Sequence, residues 1–374
     1  MEYSNVDSSR FGVRVYRGTF DEIRMNDLFD EIIRERMDVA IIRLRTECYN
    51  NLNNLEKMGF PFLVADTLVH YTVDLSQHSP RPLRNSDLEF HPCGLKDNSV
   101  IDKLVDHIFS GYINHYTSNP LLKKTDILEG YKEWARSYCD AENLGRLAWI
   151  VYRKGEPIAF LTCLFKNDSC EGILYGVTRE ASGGGVYGDL IRFSQNFFKV
   201  RGLKTMKVST QVHNVAVQKI WVREGFYPTQ SFMTIHVNSF LDASIRPVDE
   251  IDFSISFENM HRIAQTIGDV DPAHLDDKEA ALSGFSHRAC QAFVSGDMLP
   301  RYFGTVYPGP GTFFTGYSYK FLKPLYPDVC YHARISFPLI DEDQGLFKAV
   351  VQISNADGEL CLLSYHDLMN RAVS

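Results

Sequence analysis

The sequence predicts a chain of two or three packed units, α/β through its first two thirds and α+β in its last third. Three observations predict this. The length of 374 residues exceeds what one hydrophobic core usually organises. A glycine cluster around Gly184 sits between a strand-like and a helix-like segment. In the final third, two helical segments give way to four strand-like runs. Hydrophobic residues make up 44% and charged residues 23%, a globular balance, so the chain is expected to fold throughout.

In order, residues 11–74 alternate short elements: the strand FGVRVYRG, the helical run FDEIRMNDLFDEIIRERM, the strand VAIIRLR, a helix ending at Met58 and the strand FLVADTLVHYTV. Residues 75–97 carry three prolines and no period, which predicts a connector. A second α/β unit begins near Asn98. WIVYRKGEPIAFLTCLF predicts a hairpin turning at Lys154-Gly155-Glu156, followed by a strand from Gly172 to Arg179. The glycine cluster then opens a helix in which Tyr187, Leu190, Ile191, Ser194, Phe197 and Phe198 share a face. The strand MKVST, the helix NVAVQKIWVREGF and strands to Val237 follow.

Residues 238–252 read as a linker, with a boundary near Asp249. Beyond it comes the helix FENMHRIAQTIG, N-capped by Ser256, and a further helix around Ala289 to Phe303. The remainder is strand-rich: TGYSYKFLKPLY, VCYHARISF, FKAVVQISN and ELCLLSYHDLM.

A formal net charge of -8 without clustered Lys and Arg argues against a nucleic-acid partner. No apolar run approaches the roughly 20 residues that span a bilayer, and the N-terminal residues lack a signal-peptide pattern, so a cytoplasmic protein that engages no membrane is expected. The eight cysteines form no CxxC pairs. They suggest neither a metal site nor a disulfide framework, and read as mostly reduced core thiols.

A strand, Gly183-Gly184-Gly185 and a helix form the arrangement in which backbone N–H groups receive a pyrophosphate. The GxGxxG fingerprint is absent, and the unit closes in antiparallel strands rather than βα repeats. Together with FGV at 11–13 and STQVHNVAVQKIWVREGF at 209–226, the loop resembles the Gcn5-related N-acetyltransferases (GNAT), of the TDP-fucosamine acetyltransferase kind. The resemblance covers residues 11–237. It implies a degenerate N-terminal GNAT-like half, residues 1–97, and a catalytic domain, residues 98–240. It further implies that Val177 and Arg179 lie along the pantetheine arm of CoA. Gly183, Gly184, Gly185, Val186 and Gly188 would hold the pyrophosphate, and Asn214 would sit beside the thioester. This chain departs from the family at Tyr187, where a small residue is usual, and at Trp221, where a tyrosine commonly protonates the CoA thiolate. An indole N–H cannot do so. Either Tyr227 or His213 substitutes, or the domain only binds its ligand.

In the last third, GDVDPAHLDDKEAALSGF places Asp269 and His274 on either side of Pro272, which ends the preceding helix and lets both side chains turn into one pocket. This string, with YKFLKPLYPD at 319–328, resembles the MaoC-like (R)-specific enoyl-CoA hydratases and implies a hot-dog domain over 250–374. The resemblance makes Asp269 and His274 the pair that hydrates an enoyl-CoA, with the backbone N–H of Ala292 on the thioester oxygen. Asp271 stands where the family has Asn, and Gln291-Ala292 where it usually has His-Gly. The two resemblances imply acyl-CoA as substrate for both domains, no metal, a nucleotide-linked amino sugar as acceptor and a homodimer. An acetyltransferase with a scaffolding hot-dog domain, or a protein that binds acyl-CoA without turnover, stays open at this point.

Overall fold

A computed structural model describes the chain apart from residues 123–124, 141–144, 243–247, 293, 297 and 373–374. The described residues pack into two units. The first comprises Met1–Leu28, Ala40–Met58 and Phe62–Val237; the second comprises Phe29–Val39, Gly59–Pro61 and Asn238–Ser374.

The first unit is built on β1 (Glu2–Tyr3), α1 (Asn5–Phe11), β2 (Val15–Phe20), the start of α2 (Met25–Glu35), β3 (Val39–Arg45), α3 (Leu52–Met58) and β4 (Phe62–Asp74). It continues through β5 (Leu88–Pro92), α4 (Asn98–Phe109), α5 (Thr125–Arg136), β6 (Arg146–Arg153), β7 (Glu156–Lys166) and β8 (Ser169–Val177). It ends with α6 (Val186–Val200), β9 (Thr205–Gln211), α7 (Val215–Arg223) and β10 (Tyr227–Asn238). The strands form one ten-stranded sheet in the order β1-β2-β3-β10-β4-β9-β8-β7-β6-β5. β4 thus lies between β9 and β10, antiparallel to both, so residues before and after 97 share a sheet. One face packs on α6 and α7 through Leu190, Ile191, Phe198 and Trp221. The other packs on α4 and α5 through Ile101, Leu104, Ala135 and Tyr138.

Local chemistry accounts for several of these elements. Arg153 pairs with Glu156, which leaves Lys154-Gly155 as a two-residue turn with φ of 53° and 84°, the twist that a tight hairpin needs. Three expectations are corrected. Phe11 ends a helix and does not begin a strand, because Ser4 caps α1 by accepting from Asp7 N at 3.4 Å. The proline-rich connector contains β5, an edge strand paired only with β6, with Pro92 at its end where a missing N–H costs nothing. Cys93 and Cys139 form a disulfide, with Cα atoms 5.1 Å apart and a sequence separation of 46. Spacing alone does not reveal a pair that the fold brings together.

The second unit contains β11 (Val248–Ser254), α8 (Phe257–Ile267), α9 (Pro272–Leu275), α10 (Asp277–Leu282), α11 (Met298–Thr305), β12 (Thr312–Phe321), β13 (Cys330–Asp341), β14 (Leu346–Ser354) and β15 (Leu360–Asn370). Its strands form an antiparallel sheet in the order β11-β13-β14-β15-β12. Leu299, Tyr302 and Phe303 of α11 pack with Ala333, Ile335 and Phe337 of β13 in its core. Ser256 caps α8 as expected, accepting from Asn259 N at 3.2 Å, and Gly268 ends it at φ 78°. Two boundaries differ from expectation. β11 occupies 248–254 and overlaps the end of the predicted linker 238–252, whose residues 243–247 lie outside the described ones. The helix expected over 289–303 is a short 3-10 turn, Val294–Gly296, followed by α11, with residues 293 and 297 outside the described set.

Candidate active site

In the first unit, β8 and β9 run parallel but pair only from Ser169 to Gly172 against Thr205 to Val208. Beyond that point β8 stays with β7 and β9 with β4, so the two strands part. A cavity of about 620 Å³ opens at the parting, lined by Gly172 to Tyr175 of β8 and Ser209 to Gln211 of β9. Tyr187, Asn214, Val217 and Trp221 line it from the α6 and α7 side. Arg17, Arg43, Tyr112, His115 and Tyr116 line it too.

The glycine loop leads into α6. Gly183 and Gly185 both have φ of 84°, and Gly185 is the N-cap of α6. A Cβ at Gly183 meets nothing within 4 Å, so backbone conformation and not crowding demands the glycine. Asp189 N bonds Gly185 O at 3.2 Å as the first intrahelical bond, leaving the amides of Val186, Tyr187 and Gly188 as the free donors of a helix N-terminus. Asp189, fully buried, anchors the segment beside the loop. It accepts from Arg84 N at 2.8 Å, Asn85 N at 3.0 Å and Asn85 Nδ2 at 2.7 Å. This holds the Arg84 side chain against Gly185, with Cδ 3.6 Å from where a Cβ would stand.

Asp7, 2% exposed, is a hub of the cavity wall. It accepts from Arg17 Nε at 2.5 Å, Ser4 Oγ at 2.7 Å and Tyr116 Oη at 2.8 Å. Burial alone would raise its carboxyl, but Arg17 and these hydrogen bonds outweigh burial and hold it below the ordinary carboxylate range. Beside it, His115 Nδ1 lies 2.9 Å from His236 Nε2, and Asn119 Nδ2 lies 3.0 Å from His236 Nδ1. Asn119 Oδ1 already accepts from Leu121 N, so its amide group donates to His236. His236 then donates through Nε2 to His115, whose own proton sits on Nε2. Burial, with Arg17 nearby, lowers His236 to about 3, so the chain of bonds is neutral.

In the second unit, Asp269 follows Gly268 at the end of α8, and Asp271 caps α9 by accepting from Ala273 N at 2.9 Å. The half-buried His274 donates Nδ1–H to Ala289 O at 2.8 Å, which leaves Nε2 with its lone pair. No hydrogen bond joins Asp269 to His274. Gln291 is 1% exposed, yet neither Nε2 nor Oε1 of its side chain has a partner among the described residues. Ala292 is exposed in a turn.

No protein-family model and no curated protein matches the chain. Solved structures do. An (R)-hydratase from A. caviae involved in PHA biosynthesis aligns with 34% of this chain and 98% of its own, at 18% identity and a TM-score of 0.32. A GCN5-related N-acetyltransferase from Sphaerobacter thermophilus aligns with 55% of this chain and 64% of its own, at 13% identity and a TM-score of 0.41. One from Kribbella flavida aligns with 59% and 77%, at 11% identity and a TM-score of 0.40. Parts of the chain are thus similar to GNAT-type and hot-dog structures. The likeness is one of fold.

Within the GNAT-type unit, the structure brings Asn214, Tyr187 and Trp221 together at the cavity, with Asn214 Nδ2 donating to Thr210 Oγ1 at 3.1 Å. Gly183, Gly184, Gly185, Val186 and Gly188 form the loop and first turn of α6 beside it. Val177 ends β8 and Arg179 is exposed in the following turn; neither lines the cavity. Tyr227 and His213 are exposed and also lie outside its lining. The sequence reading missed Tyr112, whose hydroxyl donates to Gln211 Oε1 and lies among Thr210 and Asn214. Burial raises its pKa, keeping it a neutral O–H donor. Asp7, Arg17, Arg43, His115 and Tyr116 were also missed. The only sequence signal for them is the placement of charged or polar residues inside or beside strand-like runs. In the second unit, Asp269 precedes the short α9 and His274 lies within it.

Proposed function

We propose that the chain is a bifunctional acyl-CoA enzyme. Its hot-dog unit hydrates a short enoyl-CoA of the crotonyl-CoA kind to a 3-hydroxyacyl-CoA, and its GNAT-type unit transfers that acyl group to the amine of a nucleotide-linked amino sugar. The parting of β8 and β9 over a cavity beside the glycine loop is the observation that carries this reading. It offers one continuous space in which a thioester entering past α6 meets an amine from the other side of the sheet.

In the acyl transfer, CoA pyrophosphate rests on the free amides of Val186 to Gly188 and on Arg84, and Asn214 lies near the thioester. The neutral amine attacks the carbonyl carbon, an N–C bond forms and the C–S bond breaks. The departing thiolate takes the Tyr112 proton, and the proton shed by the new ammonium restores the phenol. In the hydration, His274 Nε2 accepts a proton from water as its oxygen bonds the β-carbon, and the Asp269–His274 pair returns a proton to the α-carbon. The Ala292 N–H serves the thioester oxygen.

A homodimer has independent support in β12. This edge strand exposes Phe313, Tyr317 and Phe321 beside unpaired backbone groups, a liability that a second copy would cover. The same observation favours a second reading, in which the hot-dog unit serves only as a dimerising scaffold.

Incubation with crotonyl-CoA and a TDP-linked amino sugar is expected to give the 3-hydroxyacyl amide. Loss of water addition in Asp269→Asn and His274→Ala, with acetyl transfer retained, separates the two activities. No water addition by the unaltered protein would refute the hydratase half, and no CoA thiol release with any amine would refute the other.

A further inference from the structure

The polar groups around one part of the cavity are hydrogen-bond donors without acceptors to spare. Arg43, on β3, lines the cavity and is held by no hydrogen bond or ion pair among the described residues. Arg17 lies beside it, its charge already engaged with Asp7 and Tyr116. The Asp7 carboxylate is saturated, and Arg10, in the same wall, pairs with Glu133 at 3.0 Å. By the tautomer worked out above, His115 adds a neutral Nε2–H. Two carboxylates influence Arg43 through space, Asp66 on β4 and Glu171 on β8. Neither reaches ion-pair distance and neither lines the cavity. Arg43 is half-buried and faces the cavity, so a guanidinium without an ion-pair partner there offers its donors to a ligand.

We infer that Arg43, supported by Arg17 and His115, binds an anionic group, carboxylate or phosphate, of the acceptor amine. This deepens the acyltransferase reading and rests on it for the word acceptor. The planar fork of Arg43 suits bidentate recognition of either anion. The thioester end lies with Asn214 and Tyr112 at the parted strands, so the anion marks the opposite end of the acceptor from the amine.

The test uses the full chain saturated with CoA, which occupies the glycine loop, and titrates it with inorganic phosphate and separately with acetate, reading thermal shift. At least one anion is expected to stabilise the CoA-loaded protein. Arg43→Gln is expected to lose that response while keeping the shift caused by CoA, and Arg43→Lys, which keeps charge without the fork, to retain part of it. No shift of the unaltered protein by either anion overturns the inference, whatever the variants do; so does an equal anion response in Arg43→Gln. Failure of CoA itself to bind counts against the acyltransferase reading alone, because the anion titrations also run without it.

Turnover distinguishes the sources. Glucosamine 6-phosphate is compared with glucosamine, and β-alanine with β-alaninamide, using acetyl-CoA. The anionic member of one pair is expected to have the lower KM, and Arg43→Gln to raise that KM roughly tenfold or more. A preference for succinyl-CoA over acetyl-CoA, with no discrimination within either acceptor pair, would place the anion on the acyl group and overturn the assignment to the acceptor.

Discussion

Asp189→Ala tests how the glycine loop is held. The carboxylate is fully buried and takes three hydrogen bonds from Arg84 and Asn85, at 2.8, 3.0 and 2.7 Å. A hydrogen bond to a charged group nets about 1.5–3 kcal/mol, but Arg84 is exposed and Asn85 half-buried, so their amides regain water when the carboxylate goes. The low end of that range, reduced for shared loss, gives about 3 kcal/mol for the alanine variant. Asp189→Asn keeps one acceptor oxygen and turns an NH₂ toward a donor, for about 2 kcal/mol. Urea unfolding followed by tryptophan fluorescence is the assay. All three tryptophans, Trp134, Trp149 and Trp221, lie in the first unit, so the signal reports that unit alone. With a slope of about 2 kcal/mol/M, the alanine variant shifts the midpoint by about 1.5 M. Freed from Asp189, residues 84–85 no longer hold Arg84 at Gly185, and CoA affinity is expected to fall about tenfold, the worth of one charge-assisted contact. A stability loss under about 1 kcal/mol with unchanged CoA affinity would refute the anchoring role.

Three further outcomes are expected. Tyr112→Phe should cut kcat for acyl transfer about 100-fold with CoA affinity preserved, as measured by thiol release; a near-normal kcat would remove Tyr112 as the acid. Gln291→Met removes two buried, unpartnered polar atoms and should stabilise the second unit by about 1 kcal/mol, read by amide exchange in β13 and β14. If it also slows hydration, Gln291 is held in reserve for substrate. His236, lowered to about 3 by burial and Arg17, is neutral when folded and takes a proton near pH 6.5 when unfolded. The unfolded chain therefore binds more protons between those values. Stability of the first unit is complete above about pH 6.5 and falls toward pH 3 by up to about 1.4 kcal/mol per unit. His236→Gln should flatten that slope, and an unchanged slope would assign it elsewhere.

The parts of the fold legible in the sequence are those fixed by short-range chemistry. Lys154-Gly155 dictates a hairpin by conformation alone, Ser256 caps the helix three residues ahead of Asn259, and the α6 stripe follows from spacing. The bend at Pro272, which sets Asp269 just before α9 and His274 within it, is equally local. The cavity wall is not. Arg17, Arg43, Leu68 and Tyr116 come from three strands and an irregular segment, and they meet only because β4 inserts between β9 and β10. Tyr112 was overlooked because it follows α4 in a stretch without period, where nothing local tells a phenol aimed at Gln211 from a surface one. The wrong assignments have the same origin. Phe11 looks like the start of a strand until Ser4 is seen capping the helix that it ends, and β5 is disguised by prolines that an edge strand tolerates.

The N-terminal half lacks a glycine loop of its own, yet the site depends on it. β4 pairs with β9 from Leu68 to Asp74, and Leu68 pairs with Gln211 at the parting of β8 and β9. β2 and β3 bring Arg17 and Arg43 to the same cavity, and α1 brings Asp7. In the proposed reaction, residues 98–240 supply the thioester's surroundings through α6, α7, Asn214 and Tyr112, but among the described residues they contribute no guanidinium to the cavity lining. On the proposed reading the sheet divides the labour: residues 98–240 bind the donor, and residues 1–97 wall the acceptor's side. A substitution in residues 1–45 is therefore expected to change which amine is used before it changes whether CoA binds, and Arg43 is where that separation should be sharpest.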